Sequence, residues 1–72
     1  MEKETTYDDI YPGDVVKVVY RNGLEEVFVA VGIFSSGQYY FLEGVQGKKS
    51  IKIQTSLIKR IFCIKHGAAH RK

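Results

Sequence analysis

Residues 15–23 read Val-Val-Lys-Val-Val-Tyr-Arg-Asn-Gly, and this stretch decides the fold. Its first six positions hold four valines and a tyrosine, side chains that suit a pleated strand and fit a helix poorly. Lys17 marks the solvent side, so alternation puts Val16, Val18 and Tyr20 on the opposite face. Asn22-Gly23 then tolerates the positive φ angles of a tight hairpin turn, which predicts a second, antiparallel strand directly after the first. Upstream, Pro12-Gly13-Asp14 is a turn signal that starts the first strand.

The second strand is expected over residues 24–34. Plain alternation sets Val27, Val29, Val31 and Ile33 on one face and Phe28, Ala30, Gly32 and Phe34 on the other. Both faces are apolar, which a flat, half-solvated sheet does not explain. A bend at Gly32, or a subunit covering one face, would. Ser35-Ser36-Gly37 reads as a hairpin loop and residues 38–43 as a third strand. Residues 44–50, with two glycines and two lysines, read as an exposed loop. Residues 51–54 alternate as a short strand with Ile51 and Ile53 inward. Residues 55–57 suit one 3₁₀ turn, and 58–64 form the last strand. The expected domain map is an acidic leader at 1–11, a β domain at 12–64 and a basic tail at 65–72.

This all-β pattern of five short strands, with a 3₁₀ turn before the last, resembles an SH3-like small barrel and, within that group, Sm-like proteins. The resemblance rests on three stretches: GDVVKVVYRNG at 13–23, VAVGIFSSGQYYFLE at 29–43 and IKIQTSLIKRIFCI at 51–64. It implies a small five-stranded barrel whose second strand is bent. Sm-like proteins usually open with a helix, whereas this leader ends in Pro12-Gly13. The Lys-His pair of the bacterial Sm-like RNA chaperone is absent from residues 54–56. Peptide-binding SH3 domains use a tryptophan, and this chain has none.

The chain has 72 residues, enough for one domain, and a domain of this size buries only about 60% of the surface its unfolded chain exposes. One cysteine, Cys63, rules out a disulfide within the monomer. No apolar run approaches the roughly 20 residues of a membrane helix. The charged start, Met1-Glu2-Lys3-Glu4, has no apolar core of a secretory signal. The expectation is therefore a cytoplasmic protein with no membrane partner and no cofactor. The net charge of +3 is unevenly spread, with −4 over residues 1–14 and +7 over residues 15–72. A basic body and an acidic leader point to a polyanionic partner, with the leader modulating access to it.

The candidate nucleic-acid-binding residues are Lys48, Lys49, Lys52, Lys59 and Arg60, recurring through the second half, with Tyr39 and Tyr40 to stack on a base. RNA and DNA are both admitted. The alternative is a protein-interaction, assembly or regulatory domain, such as a phage encodes, acting through an apolar strand face as a homo-oligomer or on a protein partner. Phe28, Phe34, Phe62 and Ile64 are the candidates for that apolar surface. Cys63, His66 and His70 form C-x₂-H-x₃-H, zinc-compatible residue types that supply only three ligands from a tail. The reading favoured for them is a packed cysteine with solvated histidines, with no metal. No paired-carboxylate, triad or complete phosphate-loop spacing is present, so no catalytic residue is assigned and an enzyme is not expected.

Overall fold

The computed structural model describes residues 3–70. It is all-β: six antiparallel strands form one sheet in the order β1-β6-β2-β3-β4-β5. The strands are β1 (Lys3–Glu4), β2 (Val15–Tyr20), β3 (Glu25–Ser36), β4 (Tyr39–Gln46), β5 (Lys49–Gln54) and β6 (Ile58–Lys65). Short 3₁₀ turns occupy Tyr7–Asp9 and Thr55–Leu57. Among the described residues no helix is long and apolar enough to cross a membrane.

Several expectations need correction. The sheet has six strands rather than five, because Lys3–Glu4 pairs with Phe62 and Cys63 of β6. The leader is accordingly built into the sheet, and Ile10 enters the core. The sheet also does not close into a hydrogen-bonded barrel, since β1 and β5 remain its two edges. It coils nevertheless. In a flat sheet β5 and β6, four spacings apart, would stand about 19 Å from each other. Instead Ile51 and Ile53 of β5 share one core with Ile58 and Ile61 of β6, around Val16, Val18, Phe28 and Leu42.

The first hairpin forms as the Asn-Gly signal predicts, through a three-residue loop. The Gly23 N–H donates to the Tyr20 carbonyl oxygen (2.9 Å), and the Leu24 N–H donates to Asn22 Oδ1 (3.0 Å). Within this turn only Gly23 takes a positive φ, +92°, the place where a type I turn followed by a left-handed residue requires glycine.

A further correction concerns residues 44–50. They are not a loop: β4 runs on to Gln46, β5 begins at Lys49, and only residues 47–48 turn. Gly44 is buried within β4. A Cβ there would stand 2.4 Å from Phe28 Cδ1 and 2.5 Å from the Val29 carbonyl oxygen. Glycine sits in this strand because the Phe28 ring occupies the space a side chain needs.

The bend in the second strand is a β-bulge. Ala30 pairs with Gly44 and Gly32 pairs with Glu43, leaving Val31 as the extra residue. The inward phase therefore switches. Phe28 and Ala30 point into the core before the bulge, and Ile33 packs against the core after it. This overturns the unbroken two-face assignment. Phe34, on the outer face, lies opposite Phe41 and folds its ring against Gly32. Of the four residues expected to form an apolar surface, Phe28 is buried, Phe62 and Ile64 are half-buried, and Phe34 is exposed. On the exposed outer face Phe34 is joined by Val27, Val29, Val31 and Val45, with Val29 and Val45 directly paired across β3 and β4.

Candidate nucleic-acid interface

The basic residues are spread over the sheet by register. Lys48 sits in the β4–β5 turn and Lys49 starts β5. Lys52 faces outward, its ammonium 4.8 Å from the Phe41 ring centroid, a cation–π contact on the same face as Tyr39. Lys59 and Arg60 stand exposed on β6. Of the five cations, only Lys59 and Arg60 line a common depression.

Lys59 and Arg60 are brought into a depression of about 370 Å³ beneath the leader, where Arg21, Tyr7, Thr55 and Glu4 join them. Arg21 was not anticipated in the sequence. Its backbone N–H donates to the Leu57 carbonyl oxygen (3.1 Å) and its Nε donates to the Ser56 carbonyl oxygen (2.8 Å). The Thr55–Leu57 turn thus holds Arg21 by its main chain and by Nε, and among the described residues its terminal nitrogens take no partner. Glu4 on β1 pairs with Arg60 at 3.6 Å, so one acidic leader residue partly neutralises the depression.

A second depression, of about 390 Å³, is lined by Tyr7, Asp8, Ile33, Tyr40 and Thr55. Both tyrosines expected to stack are exposed, but on opposite faces. Tyr40 shares the concave face with Leu42 and is 60% exposed, while Tyr39 lies on the outer face with Phe41. Tyr7 and Thr55 line both depressions, and the Tyr7 hydroxyl reaches the Thr55 carbonyl oxygen at 3.5 Å. Burial raises the Tyr7 hydroxyl pKa, with the Arg21 charge acting against it, so Tyr7 remains a neutral donor at this divide. Of the seven candidates, the structure gathers Lys59, Arg60 and Tyr40 around this composite groove. Lys48, Lys49, Lys52 and Tyr39 line neither depression.

Of the two C-terminal histidines expected to be solvated, His66 is exposed and His70 is not. The His70 side chain is buried, and its Nδ1 stands 2.8 Å from Oδ2 of Asp14, itself fully buried. His66 stacks on the His70 ring at 3.7 Å and 4°, and Tyr11 meets it edge-on at 4.7 Å. Asp14 also accepts from the backbone N–H groups of Tyr11 (3.1 Å) and Gly67 (2.7 Å). His70 Nδ1 is therefore committed to the carboxylate, and its Nε2 is buried without a partner among the described residues. No group of three or more His, Cys, Asp or Glu side chains among the described residues is arranged to hold a metal ion. Burial, followed by the Asp14 charge, pushes the Cys63 thiol pKa up, which leaves it protonated and weakly nucleophilic at neutral pH.

No protein-family model, no curated protein and no solved structure matches this chain.

Proposed function

We propose that this chain is a non-enzymatic, cytoplasmic binding module of the SH3-like kind that contacts nucleic acid through the composite groove. The coiled all-β sheet and the 3₁₀ turn before the last long strand support the SH3-like reading. The observation that carries the nucleic-acid reading is one wall, Tyr7 and Thr55, shared by a cationic depression and a tyrosine-lined one. Phosphates need the first and exposed bases the second.

The test is fluorescence anisotropy with labelled 20-nucleotide RNA and DNA of mixed sequence. Affinity is expected to fall steeply between low and moderate salt, because neutralised phosphates release counterions. A flat salt response, or no binding at low salt, contradicts the reading.

A second reading is favoured by the exposed valines of β3 and β4, a contiguous apolar face of the kind that marks protein contacts. On it the chain assembles with itself or a protein partner. A monomeric mass by light scattering at high concentration removes the self-assembling form.

A further inference from the structure

We infer that the groove takes a single strand rather than a duplex, with a base resting on Tyr40 and Ile33 and the flanking phosphates on Arg21 and Lys59. This rests on the nucleic-acid reading and adds the ligand's form, two residues the basic pattern did not single out, and an internal competitor.

The chemistry of the two depressions selects the strand. A phosphate backbone is satisfied by cations alone, and both duplexes and single strands supply one. An exposed ring beside an apolar floor is satisfied only by the π-face of a base, and in a duplex those faces are stacked away. Tyr40 is 60% exposed on the concave face, and Ile33, which lines the same depression, packs against the core. The Tyr7–Thr55 bridge separates this aromatic floor from the cations. Base and phosphate of one nucleotide are thus received on the two sides of one fixed divider.

Arg21 is the pre-positioned member. Its two bonds to the Thr55–Leu57 turn hold it before a ligand arrives, which lowers the ordering cost of binding. No ion pair to Arg21 or Lys59 is formed among the described residues, whereas Arg60 is partnered by Glu4. Glu4 lies in the same depression as these cations and competes with a phosphate for them, giving the acidic leader a specific place of action.

The experiment compares a labelled 12-nucleotide single strand, the same sequence as a duplex, and poly-glutamate, on the full chain at low salt. The single strand is expected to bind at least tenfold more tightly than the duplex. Tyr40→Ala is expected to weaken the single strand about tenfold and the duplex hardly at all. Glu4→Gln is expected to tighten it about two- to fivefold. Thermal melts of both variants, whose altered side chains are exposed, establish that they fold. Equal affinity for strand and duplex, with Tyr40→Ala indistinguishable from wild type, overturns the inference and leaves the nucleic-acid reading standing. Poly-glutamate binding as tightly as the strand also overturns it, because a generic anion site would suffice. Binding of none of the three ends both readings.

Discussion

The Asp14 carboxylate and the His70 ring meet at 2.8 Å with both side chains buried, joining positions 56 residues apart. This contact, with the Gly67 N–H, ties the C-terminal segment to the start of β2. Asp14→Ala leaves two backbone donors and an imidazole without their acceptor, and is expected to cost about 3 kcal/mol or more. His70→Ala keeps both backbone bonds and should cost less, about 1–2 kcal/mol. Urea denaturation of the two variants checks the order; a larger loss for His70→Ala contradicts it.

The same node sets a pH dependence. Burial alone would raise the Asp14 carboxyl pKa. The N–H groups of Gly67 and Tyr11, together with the His70 ring, outweigh burial and hold it below the ordinary carboxylate range. Because the folded value lies below the unfolded one, the stabilisation is fully present above about pH 4 and is lost as pH falls through the folded value. Thermal melts of wild type and Asp14→Asn between pH 7 and pH 2 should therefore converge at the acid end. A constant gap across the range contradicts this.

Gly44→Ala is expected to destabilise by about 1–3 kcal/mol, because the added methyl overlaps the Phe28 ring and the Val29 carbonyl. Phe28→Leu in the same chain should recover only part of the loss, since the backbone overlap remains. A neutral Gly44→Ala, read by the denaturation midpoint, refutes the close approach.

Val29→Lys, on the exposed valine face, is expected to move the melting temperature by less than about 4 °C and to leave oligonucleotide affinity unchanged, because Val29 lines neither depression. If the wild-type chain self-associates through this face, light scattering will show the variant reverting to monomer.

Local signals made much of the sheet legible. Strand β2, the Asn22-Gly23 turn and the Thr55–Leu57 turn follow from β-branched runs and turn chemistry that act within a few residues. What escaped depends on distant partners. Gly44 reads as a loop former until the Phe28 ring is placed against it. Ile33 reads as a facemate of Val27, Val29 and Val31 until the bulge at Val31 turns it toward the core. Lys3–Glu4 has no strand-like composition and pairs because β6 presents an edge. Within the groove, Lys59, Arg60 and Tyr40 were visible as charge and aromatic content. Arg21 was hidden because it looked like part of a turn. Nothing near His70 announces that its acceptor lies in the Pro12-Gly13-Asp14 turn.

The most direct measurement is a ¹H–¹⁵N NMR titration of the full chain with a 12-nucleotide single strand at low salt. The account predicts the largest amide shifts at Tyr7, Arg21, Tyr40, Thr55 and Lys59, with β3 residues 27–31 unmoved. Shifts confined to those valine positions, or a spectrum unchanged at saturating oligonucleotide, would contradict it.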